Sequence, residues 1–235
     1  MAIDDVDQPC ERALTGVAVE HLSKRIGRSL VLDDITLSMR GGRLYGLHGA
    51  NGSGKTMLMR AICGLIRPTG GAVRVDGKEI GKHISFPPSV GALIESPAFL
   101  DGYTAFENLR LLARIRKIVS DDDIRQVLSD VGLDPNDRRS YRKFSLGMRQ
   151  RLGIAAAVME NPRLIVLDEP TNGLATDGVL QLRSLLDRHR EGGALIMVAS
   201  HDRDELELIS DEMFKIDHAR LVDHRVLTNQ IPGER

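Results

Sequence analysis

The chain has 235 residues, 42% of them apolar and 28% charged, with a formal net charge of −1. That suits one large globular domain or two small ones and excludes the basic excess of a nucleic-acid binder. Aromatics make up 3% with no Trp, so stacking platforms for bases are not expected, and no stretch reaches the roughly 18 apolar residues of a membrane-spanning helix.

Residues 1–15 carry Asp4, Asp5, Asp7 and Glu11 and no apolar stretch, which predicts a disordered tail rather than a secretory signal. Cys10 and Cys63 lie far apart without CxxC spacing, so reduced thiols are expected rather than a disulfide or zinc site. Val17–Leu22 and Ile35–Leu37 read as short strands with a polar turn over Lys24–Ser29. Arg43–His48 reads as a strand, Lys55–Leu65 as a helix, and Ala72–Val75 as a strand entering an Asp76-Gly77 turn. Ala105–Lys117 places Phe106, Leu109, Leu112 and Ala113 on one helical face. Ser120–Gly132 reads as a second helix capped by Ser120, with Asp121–Asp123 in its first turn, and Met148–Glu160 as a third. Leu164–Leu167 and Ala194–Ala199 are continuous apolar runs, as expected of parallel strands buried on both faces. The pattern predicts one α/β domain over 16–235, with an N-terminal β subdomain and a helical subdomain inserted at about 97–160.

Gly49-Ala50-Asn51-Gly52-Ser53-Gly54-Lys55-Thr56 matches the P-loop pattern GxxxxGK[ST] between a strand and a helix. Glycines let backbone N–H groups curl around phosphate oxygens, and the following helix turns its positive end to the anion. Lys55 is then placed to reach the β- and γ-phosphates of ATP and Thr56 to ligate Mg²⁺. Leu164–Glu169 ends a buried strand in two carboxylates. Asp168 is expected to hold Mg²⁺ and Glu169 to polarise the attacking water.

Phe144-Ser145-Leu146-Gly147-Met148-Arg149-Gln150-Arg151 resembles the signature motif of ABC transporter ATPases. In that family's order, Ala92–Pro97 sits at the Q-loop, Thr171–Ala175 at the D-loop and His201 at the H-switch. The resemblance covers about Val17 to Val222. It implies a head-to-tail homodimer in the ATP-bound state, with Ser145 and Gly147 of one chain facing the γ-phosphate held by Gly49, Asn51, Gly52, Ser53, Gly54, Lys55 and Thr56 of the other. It also implies that His201 helps position the water, and that a separate membrane permease is driven by dimer closure, so that the chain lies in the cytoplasm against the inner face of the membrane.

Some positions depart from the family pattern. Leu146 and Met148 replace the usual Gly and Gln of the signature. Glu95 takes the place of the Q-loop Gln and offers an oxygen to Mg²⁺ while losing a donor. Together with Gly91–Leu109 and Phe144–Ala155, these changes resemble the ATPase subunits of bacitracin and lantibiotic resistance exporters. Ile26 stands where an aromatic usually stacks on adenine, Ala175 replaces the D-loop Asp, and the chain is expected to carry no further C-terminal domain. The leading reading is the energising subunit of an exporter. The alternative, a soluble ABC ATPase acting on ribosomes or nucleic acid, is opposed by the near-neutral charge and the single cassette. A nucleotide-binding regulator with little turnover is opposed by the full set of Lys55, Thr56, Asp168, Glu169 and His201.

Overall fold

The computed structural model describes residues 16–95 and 98–227. The tail expected over 1–15, Cys10 and the Ser96-Pro97 end of the Q-loop fall outside the described residues.

β1 (Gly16–Ile26) and β2 (Ser29–Arg40) form an antiparallel hairpin, and β4 (Gly70–Val75) and β5 (Lys78–Glu79) extend it in the order β2-β1-β4-β5. The polar turn read over Lys24–Ser29 shrinks to Gly27-Arg28, because Lys24, Arg25 and Ile26 pair with Leu32, Leu30 and Ser29. The register shifts between Val19 and Arg25 explain the difference. His21 and Asp34 adopt positive φ of 48° and 54° and face each other at 2.8 Å. Such bulges interrupt the two-residue alternation by which strands are recognised in sequence.

The second sheet contains β3 (Arg43–His48), β6 (Val90–Leu93), β7 (Leu164–Asp168), β8 (Leu195–Ser200), β9 (Glu212–Asp217) and β10 (Arg220–Val226). Its order is β10-β9-β3-β8-β7-β6, and every pairing is parallel except β10 with β9. All residues of β7 and β8 are buried, as the continuous apolar runs require. Alternate side chains feed two cores. Tyr45, Leu47, Val166 and Met197 pack with the first sheet and with Leu58 and Met59 of α1 (Lys55–Ile62). Leu44, Ile165, Leu167, Ile196 and Val198 pack on the other face.

That other face is covered by α4 (Leu146–Val158), α5 (Thr176–Glu191) and α6 (Arg203–Ile209). Between β6 and β7 the chain also builds α2 (Ala105–Arg116), α3 (Asp121–Asp130) and a 3₁₀ turn at Tyr141–Lys143. Capping boxes start α2 (Thr104 with Glu107) and α3 (Ser120 with Asp123), satisfying N–H groups that a helix start leaves free. α4 begins two residues before the Met148 start read from sequence, because the Ser145 hydroxyl caps it by accepting from the Met148 N–H at 3.3 Å. Among the described residues no helix is long and apolar enough to cross a membrane.

Parallel β3, β6, β7 and β8 all point their carboxyl ends to one edge of the sheet. The P-loop leaves β3, Glu95 follows β6, Asp168 and Glu169 end β7, and His201 follows β8. Open α/β sheets bind ligands at that edge.

Candidate active site

The P-loop is shaped by close packing around Gly49. A Cβ there would lie 2.3 Å from the Ile216 carbonyl oxygen and 2.7 Å from Ser53 Oγ. Gly54 at φ +115° turns the chain into α1, whose first turn holds no acidic residue and no side-chain cap. Its N–H groups are therefore open to an external anion. Ser53 Oγ is buried with no hydrogen-bond partner, a second polar group turned into the loop. Lys55, 6% exposed, donates to the carbonyl oxygens of Gly49 at 2.6 Å and Ala50 at 3.2 Å. Buried ammonium groups are tolerated only where such acceptors or an anion surround them.

Three contacts among the expected catalytic residues meet at the sheet edge. The Thr56 hydroxyl donates to Asp168 Oδ2 at 2.6 Å. His201 Nδ1 lies 2.9 Å from Glu169 Oε2, and Lys55 Nζ lies 4.0 Å from Glu169 Oε1. Glu169 Oε1 is buried with no hydrogen-bond partner. Burial pushes the Asp168 carboxyl above the usual carboxylate range. The Thr56 hydrogen bond opposes that rise, the nearby negative charge of Glu169 adds to it, Lys55 opposes it, and Glu95 adds a little more. A cation between these oxygens would reverse the effect. A hydroxyl and a carboxylate are hard oxygen donors, and Mg²⁺ takes one or two such protein ligands beside phosphate oxygens. The residues present therefore fit Mg²⁺ with a nucleotide.

The remaining expected residues sit further out. Glu95, at φ +64°, is ion-paired with Arg60 of α1 at 2.5 Å, and its charge still reaches Asp168. Ser145 is committed to capping α4, and Gly147 abuts the loop after β7, where a Cβ would lie 2.5 Å from the Gly173 carbonyl oxygen. Their contacts do not join them to the P-loop cluster of their own chain. Ile26 is 52% exposed near the tip of the β1–β2 hairpin. Two residues outside the expected set also touch Glu169. Gln150 Nε2 donates to the Glu169 carbonyl oxygen at 2.9 Å, and the Ser200 hydroxyl reaches Glu169 Oε2 at 3.5 Å. Gln150 lies within the Phe144–Arg151 segment that resembles the signature motif and Ser200 directly precedes His201, but neither placement in sequence points to a contact with Glu169.

A family model described as ABC transporter matches residues 32–172. The uncharacterized ABC transporter ATP-binding protein YybJ of Bacillus subtilis is 44% identical over 205 residues, covering 87% of this chain and 94% of that protein. The chain belongs to the ABC transporter family. The bacitracin transport ATP-binding protein BcrA of Enterococcus faecalis is 40% identical over 209 residues, covering 88% of this ABC subunit and 68% of that protein. A solved ATP-binding subunit of an ABC transporter matches at a TM-score of 0.80 with 26% identity, covering 90% of each chain. The α/β fold expected from sequence is thus the ABC ATPase fold, and this ABC subunit is an ATP-binding, ATP-hydrolysing component of a transporter.

Proposed function

We propose that this subunit hydrolyses ATP with Glu169 as general base and drives a separate membrane permease that exports an antimicrobial peptide or another hydrophobic compound. The observation that carries the catalytic part is the convergence on Glu169. One carboxylate oxygen is held by His201, and the other is buried without a hydrogen-bond partner, 4.0 Å from the Lys55 ammonium. A carboxylate fixed at one oxygen, with hydrogen-bonding capacity left unfilled at the other, can hold a water and take its proton. His201 fixes the direction of that carboxylate. Lys55 and the P-loop N–H groups hold the β- and γ-phosphates and stabilise charge that develops on them. Thr56 and Asp168 would hold Mg²⁺, which supplies charge neutralisation between the phosphates. Glu95, whose charge reaches Asp168, would join them once it leaves Arg60.

Ser145, Gly147 and the start of α4 act on the nucleotide of a second copy in a head-to-tail homodimer. The exposure of Ser145 at the start of α4 supports this, as does the 67% exposure of Leu146 beside it. The likeness to BcrA supports a peptide antibiotic as cargo and a location at the inner face of the membrane through the permease. The test is a pull-down of Glu169→Gln with ATP and Mg²⁺ from detergent-solubilised host membranes. A stoichiometric multi-span protein is expected. Recovery of ribosomal or other soluble partners alone would overturn the transporter partnership.

A further inference from the structure

Glu169 adopts φ +48°, a left-handed conformation that a residue with a side chain keeps only where its surroundings fix it. Three hydrogen bonds do so. Its N–H donates to the Ala199 carbonyl oxygen at 2.8 Å, and its own carbonyl oxygen accepts from the Asn172 N–H at 3.3 Å and from Gln150 Nε2 at 2.9 Å. The first two come from adjoining backbone. The third is a side chain of α4, 19 positions earlier. α4 touches the same segment a second time. A Cβ on Gly147 would stand 2.5 Å from the Gly173 carbonyl oxygen, and a Cβ on Gly173 would come within 2.9 Å of Leu146 Cγ. One helix therefore grips the segment that follows β7 at both ends, at Glu169 and at Gly173.

We infer that Gln150 is a positioning residue for Glu169, coupling the seating of the α4 N-terminus to the aim of the Glu169 carboxylate. The inference rests on the proposed role of Glu169 as base. The chemistry of the contact is specific. A carbonyl oxygen must face a donor, and a side-chain amide offers one at this reach without charge. A group from a second protomer that seats against Ser145 and Gly147 thereby fixes the peptide that carries the base in the protomer it touches. Signature engagement and base alignment become one event, with Gln150 as the side chain that reaches the base's own peptide.

The test uses Gln150→Glu, nearly isosteric but without a donor when ionised, and Gln150→Ala, each alone and on Glu169→Gln. For each single variant kcat should fall roughly five- to tenfold, the effect of one neutral hydrogen bond lost from the aligned state, with KM for ATP nearly unchanged. On Glu169→Gln neither substitution should lower the residual rate further, and the ATP-bound dimer seen by size exclusion should be as abundant as in Glu169→Gln alone. Wild-type kcat in both single variants would overturn the inference. So would a loss of the ATP-bound dimer in the double variants, which would make Gln150 a packing residue of α4. Wild-type turnover in Glu169→Gln itself would refute the base, and the inference with it. If Gln150→Glu does not fold, Gln150→Ala carries the same comparison.

Discussion

Gly49→Ala and Gly52→Ala separate two reasons for glycine in one loop. An Ala Cβ at position 49 would stand 2.3 Å from the Ile216 carbonyl oxygen, about 1 Å inside ordinary contact, which begins at 3.4 Å. Ile216 cannot retreat. It is fully buried in β9, which is flanked by β3 and β10. Overpacking of this kind costs about 2–3 kcal/mol. For a domain of this size the melting temperature should fall roughly 5–10 °C. At position 52 a Cβ meets nothing within 4 Å, but φ is +78°. Only backbone strain is charged there, about 1 kcal/mol, or roughly 2–4 °C. Thermal unfolding of both variants without nucleotide measures the difference directly. An equilibrium titration with ATP should also show Gly49→Ala binding at least about tenfold more weakly, since a shift of about 1 Å takes loop N–H groups out of hydrogen-bond range. Equal stability of Gly49→Ala and wild type, or a larger loss for Gly52→Ala, would refute the packing argument.

Asp168→Asn should abolish turnover yet raise the melting temperature by a few degrees. It removes a buried charge whose desolvation is the main cause of its raised pKa and keeps an acceptor for Thr56, a change worth about 1 kcal/mol or more; a lower melting temperature would contradict that account. His189 is held below its ordinary value of 6.5 chiefly by burial, with Arg188 adding and Asp130 opposing. A base whose folded pKa is depressed contributes stability above the unfolded pKa and loses it as pH falls, so the melting temperature should drop as pH is lowered from 6.5, and His189→Gln should flatten that slope. Glu95→Gln breaks a pair that is 61% exposed at the carboxylate and 31% at Arg60. It should cost under about 1 kcal/mol and leave ATP affinity within roughly threefold; a far larger loss in an isothermal titration would make Glu95 a primary ligand of the Mg²⁺–nucleotide complex.

The parts of the fold legible in sequence are those where one force acts alone. β7 and β8 read correctly because burial on both faces leaves no polar position before their last residues, Asp168 and Ser200, and α3 because Ser120 and Asp123 cap it locally. The P-loop was legible because Gly49, Gly52, Gly54, Lys55 and Thr56 occupy fixed places in a short pattern. The hairpin is blurred in sequence because bulges at His21 and Asp34 break the alternation, and the start of α4 is hidden because an exposed Leu146 occupies the first turn that Ser145 caps. Contacts such as Gln150 with Glu169 and Arg60 with Glu95 join residues 19 and 35 positions apart. They depend on how α4 and α1 lie against the sheet edge, which no local pattern encodes.

The most direct test of the account is ATP turnover by Glu169→Gln beside wild type at saturating ATP and Mg²⁺, with nucleotide binding measured on the same samples. The account predicts unchanged ATP binding and a rate lowered by a factor on the order of 10²–10⁴, the usual contribution of a positioned base. Turnover at the wild-type rate with binding intact would contradict it.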